Sequence, residues 1–86
     1  MSGIVLKHTF HNVLGSDIFF HLEPFNELFT VKDQSILSVE FSSEETGHVA
    51  TWLSSKYYTL WLWPSCVVTA VSIDGQDCPR PSSTAS

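Results

Sequence analysis

Hydrophobic and polar residues alternate along most of this chain with a period of two, in short runs separated by turn-forming residues. Three runs, over residues 48–53, 57–63 and 66–73, are rich in Val, Thr, Trp and Tyr. In residues 57–63 both faces are partly apolar, as expected of a central strand that is covered on two sides. Branched and aromatic side chains crowd the turns of a helix but stand easily on a pleated strand. Pro64 has no N–H to donate to a ladder, and Asp74-Gly75 is a turn signal. We therefore predict three successive β-strands at the centre of the domain.

Four further short runs precede these three strands. We predict strands over residues 4–10, 18–23, 27–31 and 36–41, separated by polar loops. Consecutive strands usually pair, so the first two are predicted to form a hairpin. The predicted fold is all-β: a small antiparallel β-sandwich or flattened barrel of about seven short strands. It forms a single domain over residues 1–77, and residues 78–86 are too poor in apolar side chains to pack and are predicted to be a disordered tail.

Composition and charge exclude several classes of function. The chain has 86 residues, of which 43% are hydrophobic, enough for one core. Its net charge is −5 with only four Lys and Arg residues, so it cannot displace counterions from nucleic-acid phosphates or favour an anionic membrane. The longest apolar run, residues 60–63, is far short of the roughly 20 residues that span a membrane. With no signal-peptide pattern at its start, the chain is predicted to be soluble and cytoplasmic, with no nucleic-acid or membrane partner.

The two cysteines, Cys66 and Cys78, are not predicted to form a disulfide. A strand from Cys66 to Gly75 extends about 30 Å, and the return to Cys78 covers only about 10 Å. The chain has no Cys-x-x-Cys motif. We predict a core thiol at Cys66, an exposed thiol at Cys78 and no cofactor.

Four histidines, at positions 8, 11, 21 and 48, raise the question of a metal site. If the first two strands pair, His8 and His21 lie near each other, with Glu23 on the same face as His21. Imidazole and carboxylate on adjacent strands can bind a metal, which would make this a small metal-binding β-barrel enzyme or sensor. The alternative is that these are half-buried or surface imidazoles. Ser65-Cys66 lacks a glycine-rich nucleophile elbow, so the balance of the sequence is against an enzyme.

The aromatic residues of one strand are the best candidates for function. Tyr57, Trp61 and Trp63 alternate on one side of it, and Trp52 of the neighbouring strand can join them. They are either core or an exposed platform for sugar stacking or protein contact, where Trp and Tyr are enriched. The preferred hypothesis is a non-enzymatic protein-interaction or accessory domain that uses this aromatic face or an edge strand. Its partner is a second copy of the chain or another protein.

Three short segments resemble a group of small uncharacterised bacterial proteins. In that group a strand ends in Glu-Pro-Trp-Gly, a Pro-Gly-Glu turn opens the next strand, and the last strand ends in Asp-Gly. The corresponding segments here are Leu22-Glu23-Pro24-Phe25-Asn26, Lys32-Asp33-Gln34-Ser35 and Ile73-Asp74-Gly75. Phe25 stands in place of the Trp, Asn26 in place of the Gly, and the Pro-Gly pair is missing. The resemblance, over residues 9–75, implies a small all-β domain and no particular activity.

Overall fold

Eight β-strands form within residues 3–79, the part of the chain that the computed structural model describes. The predicted all-β fold is confirmed, and the second and third strands have the predicted bounds. Residues 80–86, most of the predicted tail, lie outside the described residues. The strands are β1 (Ile4–His11), β2 (Ile18–Glu23), β3 (Glu27–Val31), β4 (Ile36–Ser43), β5 (Ala50–Ser54), β6 (Tyr57–Trp61), β7 (Val67–Ile73) and β8 (Gln76–Asp77).

The strands form two four-stranded sheets that pack face to face as a sandwich and do not close into a barrel. Sheet A has the order β1-β4-β7-β8, and sheet B has the order β3-β2-β6-β5. The predicted hairpin of the first two strands is wrong, because β1 pairs with β4 and β2 lies in the other sheet. The β2–β6 pairing is parallel, whereas the prediction was entirely antiparallel; Phe20 lies beside Tyr58 and Leu22 beside Leu60. No helix within residues 3–79 could serve as a membrane span.

Asn12 fixes the connection that carries the chain from sheet A to sheet B. Its side chain is fully buried. Its Nδ2 donates to the carbonyl oxygens of Ser16 at 2.9 Å and Val31 at 3.0 Å, and its Oδ1 accepts from the N–H of Leu14 at 3.1 Å. These hydrogen bonds hold the chain after β1 in a loop, where the sequence order had suggested a hairpin of β1 with β2. The loop crosses to the second sheet instead of turning back along β1.

The core lies between the two sheets and follows the period-two pattern. Leu60 and Leu62, predicted to point inward, are fully buried. Leu37, Val39 and Phe41 alternate inward along β4, as predicted. They meet the inward side chains of sheet B, because apolar area on a sheet face is stabilised by a second layer. The core comprises Phe20, Leu22, Phe29, Val31, Leu37, Val39, Phe41, Leu60, Leu62, Cys66, Val68 and Val71.

The last hairpin confirms the predicted Asp-Gly turn and corrects the prediction for Cys78. Asp74 and Gly75 both have positive φ, 53° and 84°, which suits a tight turn between β7 and β8. Beyond it, the N–H of Cys78 donates to the carbonyl of Val71 at 2.7 Å. Cys78 is half-buried against the core. The prediction of an exposed thiol at this position is therefore wrong. Cys66 is buried, and both thiols are free.

Candidate functional site

The outer face of sheet B carries a group of large apolar side chains, with His21 and Glu23 of β2 among them. Parallel pairing of β2 with β6 places Phe19 beside Tyr57 and Glu23 beside Trp61. Antiparallel pairing of β5 with β6 places Trp52 beside Thr59. Since paired residues on neighbouring strands point to the same side, these side chains share one surface. We call it the aromatic face; it comprises Phe19, Leu28, Trp52, Tyr57, Thr59 and Trp61.

The aromatic side chains of this face remain half-exposed. The exposed fractions are 49% for Trp52, 48% for Tyr57 and 43% for Trp61. The rings of Phe19 and Tyr57 lie with their centroids 5.3 Å apart. Thr59, at the centre, is only 6% exposed because the larger side chains surround it. The sequence-predicted platform therefore exists for three of its four residues.

Trp63, the fourth predicted partner-binding residue, is not part of the aromatic face. Its Nε1 donates to the Ser43 hydroxyl at 3.0 Å, and its ring meets Phe41 edge-on with centroids 5.9 Å apart. A Cβ at Gly47 would overlap the Trp63 ring. Strand β6 ends at Trp61, so the period-two rule no longer determines the direction of Trp63. Trp63 packs against the core between the two sheets.

The outer face of sheet A contrasts with the aromatic face. Hydroxyl groups of Thr9 and Ser38 lie 3.2 Å apart across β1 and β4. Thr69 donates to the Glu40 carboxylate at 2.7 Å. Val5 and Val67, which are 67% and 60% exposed, lie on the same outer face, so the described part of sheet A mixes polar groups with aliphatic side chains and presents no Trp, Tyr or Phe there. Clusters of exposed large apolar side chains mark interaction sites.

The candidate metal ligands do not converge. His21 and Glu23 contact each other on the outer side of sheet B, with Nε2 and Oε2 2.6 Å apart. His8 belongs to sheet A, and its Nε2 lies 3.0 Å from the Tyr58 hydroxyl between the two sheets, where burial lowers the pKa of the imidazole. The prediction that His8 and His21 lie near each other is wrong, because sheet B separates them. No group of three His, Cys, Asp or Glu side chains within residues 3–79 could hold a metal ion.

A cavity of about 400 Å³ lies beside the end of β4 and the start of β7. The Ser43 hydroxyl there accepts hydrogen bonds from Trp63 Nε1 and from the N–H of Glu45, so its own hydrogen is directed to Ser65. Burial raises the pKa of the nearby Cys66 thiol and keeps it protonated. These groups hold the local structure and do not form an activated nucleophile. The cavity is lined by Gly3, Ser42, Ser43, Glu44, Glu45, Ser65 and Val67.

No family model, curated protein or solved structure matches this chain. The resemblance to small bacterial proteins therefore stays a prediction.

Sequence reasoning missed two members of the aromatic face, Phe19 and Leu28. The alternation of β2 indicates that Phe19 points away from Phe20. The parallel pairing that brings Phe19 to Tyr57 joins strands more than 30 positions apart and has no local signal.

Proposed function

We propose that this protein is a non-enzymatic interaction domain that binds another protein through its aromatic face. The observation that carries the proposal is the half-exposure of the three aromatic side chains Trp52, Tyr57 and Trp61 on one sheet face. The side chains stand on hydrogen-bonded strands, so the backbone that carries them does not need to be ordered on binding.

The make-up of the face fits a protein partner. Large rigid aromatic side chains supply most of the binding energy in protein interfaces, and polar groups surround them. Here the polar groups are His21 and Glu23, whose side chains are 31% and 16% exposed. They lie within the face, with His21 between Leu28 and Thr59 and with Glu23 beside Trp61. The His21 Nε2 and Glu23 Oε2 atoms are already partners of each other, so a protein can cover them without leaving either group unpaired. The metal-dependent alternative is not proposed, because no observation favours it.

The test is to identify proteins retained by the immobilised domain and to measure their affinities with purified components by calorimetry. We expect Trp61→Ala to weaken binding about 30-fold or more, since truncating an interface hot spot costs about 2 kcal/mol or more. The matched control is Val67→Ala, which truncates a side chain that is 60% exposed on sheet A. It should leave affinity unchanged. Thermal unfolding checks that both variants are folded.

Two results would contradict the proposal. One is a partner whose affinity is the same for wild type, Trp61→Ala and Tyr57→Ala, because that partner binds elsewhere. The other is saturable binding of an oligosaccharide that is lost in both variants, with no protein retained. That outcome assigns the aromatic face to sugar stacking.

A further inference from the structure

One edge of the sandwich is a step, because sheet B extends one strand further than sheet A. Sheet A ends at β1, whose inward residues His8 and Phe10 lie against Tyr58 of β6; the Phe10 and Tyr58 ring centroids are 4.2 Å apart. In sheet B, β5 lies beyond β6. No strand among the described residues therefore lies beside β1 to cover the inner side of β5.

Apolar side chains at this step point towards the interior yet remain exposed. Leu53 pairs with Tyr58 on the inner face of β5 and is 50% exposed. Leu6, on the inward side of β1, is 42% exposed. By contrast, Leu60, one strand further in, is fully buried. The inner layer at this edge is incomplete by one strand.

Within residues 3–79, no strand pairs with the backbone of β1 along this edge. The N–H of Asn12 donates to Ser35, on the β4 side, and amide groups alternate in direction along a strand. The 3.2 Å approach of the Thr9 and Ser38 hydroxyls is that of a non-hydrogen-bonded pair, with its amides turned outward. The amides of Val5, Lys7 and Thr9 therefore point away from β4. An unpaired edge of this length is a template for another strand.

We propose that a second copy of this chain fills the step, with its β5 beside β1 in one layer and its β1 beside β5 in the other. A two-fold axis parallel to the strands generates this arrangement. The projecting strand of each copy then occupies the missing position of the other, and Leu53 faces Leu53 of the second copy. Such self-complementary contacts close, and two-fold dimers are the commonest oligomers.

Strand direction is consistent with this packing. The carboxyl end of β1 lies at the start of β6 and the end of β3, as shown by Phe10 against Tyr58 and by the Asn12 bond to Val31. Hence β1 is antiparallel to β6 and parallel to β5. Rotation about an axis along the strands preserves direction, so β1 meets the second β5 as a parallel pair. The chain already uses such a pair in β2–β6.

The geometry favours this dimer over direct pairing of two β1 edges. If the two β1 strands paired directly, β5 of each copy would be placed opposite β1 of the other copy. That position is already occupied by β6, so the two strands would overlap. The stepped contact is about 17 Å long for five residues, so it belongs with the small, weak class of protein interfaces. We therefore expect a concentration-dependent dimer with micromolar affinity.

The test is sedimentation velocity from low micromolar to near-millimolar protein, on the full chain. Wild type should dimerise over this range, whereas Leu53→Glu and Leu53→Lys should each weaken dimerisation at least about tenfold by placing like charges together at the axis. An equimolar mixture of the two variants should restore a dimer that contains one copy of each. Because Leu53 is half-exposed, neither variant should unfold, which far-UV circular dichroism checks.

The control is Leu28→Glu, which places the same charge on the aromatic face and should leave the dimer intact. If the wild-type protein stays monomeric over the whole concentration range, the proposal is overturned, and a strand of another protein becomes the candidate to fill the step. A dimer that Leu28→Glu dissociates and Leu53→Glu does not also overturns it, because that contact uses the aromatic face. The proposed function uses that other face and is tested separately, so the two can fail independently.

Discussion

Asn12→Asp provides a stringent test of the crossing between the sheets, because it changes hydrogen bonding with almost no change in shape. The wild-type side chain is fully buried, and its amide nitrogen donates to two carbonyl oxygens, those of Ser16 and Val31. A carboxylate cannot donate, so the substitution turns a negative oxygen towards both carbonyls. We predict that the variant is severely destabilised at neutral pH.

The size of the effect follows from the two lost donors. Leaving a buried polar group without its hydrogen bond costs about 1–3 kcal/mol, and this penalty applies to the buried Val31 carbonyl. Ser16 is exposed, so its carbonyl can bind water instead, and the burial of the negative charge adds to the loss. A domain of this size has a total stability of roughly 4–12 kcal/mol. At neutral pH, a large fraction of the variant should therefore be unfolded.

The loss of stability in Asn12→Asp, relative to wild type, should diminish as the pH falls. Burial against carbonyl oxygens raises the pKa of the introduced carboxyl in the folded protein above its unfolded value of about 3.9. A raised folded pKa means that the protonated form is favoured by folding, so stability relative to wild type is greatest below about pH 3.9 and decreases as pH rises through the folded value. The protonated carboxyl can also restore one donated hydrogen bond.

The assay is urea unfolding followed by tryptophan fluorescence at several pH values, with wild type measured at each. Asn26→Asp is the matched control, since it makes the same change at an exposed turn residue whose φ of 58° Asp also tolerates. The control should remain within about 0.5 kcal/mol of wild type. If Asn12→Asp were as stable as this control, or if its loss did not vary with pH, the crossing would not depend on Asn12.

Three further predictions concern the core, the loop before β5 and the half-buried histidine. Leu60→Ala should lower the free energy of unfolding by about 2–5 kcal/mol in urea titrations, and a change below about 0.5 kcal/mol would show that Leu60 is not in the core. Gly47→Ala should displace the Trp63 ring, seen as a shift of tryptophan emission and lower thermal stability; an unchanged spectrum would contradict the close contact. Burial lowers the pKa of His8 in the folded protein, so its contribution to stability is complete above the unfolded pKa of about 6.5 and falls as pH drops below it. His8→Gln should therefore lose less stability than wild type between about pH 7 and pH 5.5, and equal losses would assign the acid sensitivity to other groups.

The strands themselves were determined locally by the sequence. Side-chain branching and the period-two pattern act over a few residues, so β2 and β3 could be assigned with their observed bounds, and Leu60 and Leu62 could be assigned to the core. The Asp74-Gly75 turn is equally local, because its positive φ angles depend on the two residue types.

Only the tertiary structure decided which strands meet. Adjacency predicted a β1–β2 hairpin, but the buried hydrogen bonds of Asn12 send the chain to the other sheet, and β1 pairs with β4 instead. That choice separates His8 from His21 and brings Phe19 to Tyr57 through a parallel pairing. Trp61 and Trp63 share a face in the sequence pattern, yet one is on the surface and the other packs inside, because β6 ends between them. Strand pairing and the positions of strand ends depend on the free energies of contacts between residues that are far apart in the sequence. A short stretch of sequence does not include both partners of such a contact, so it cannot predict them.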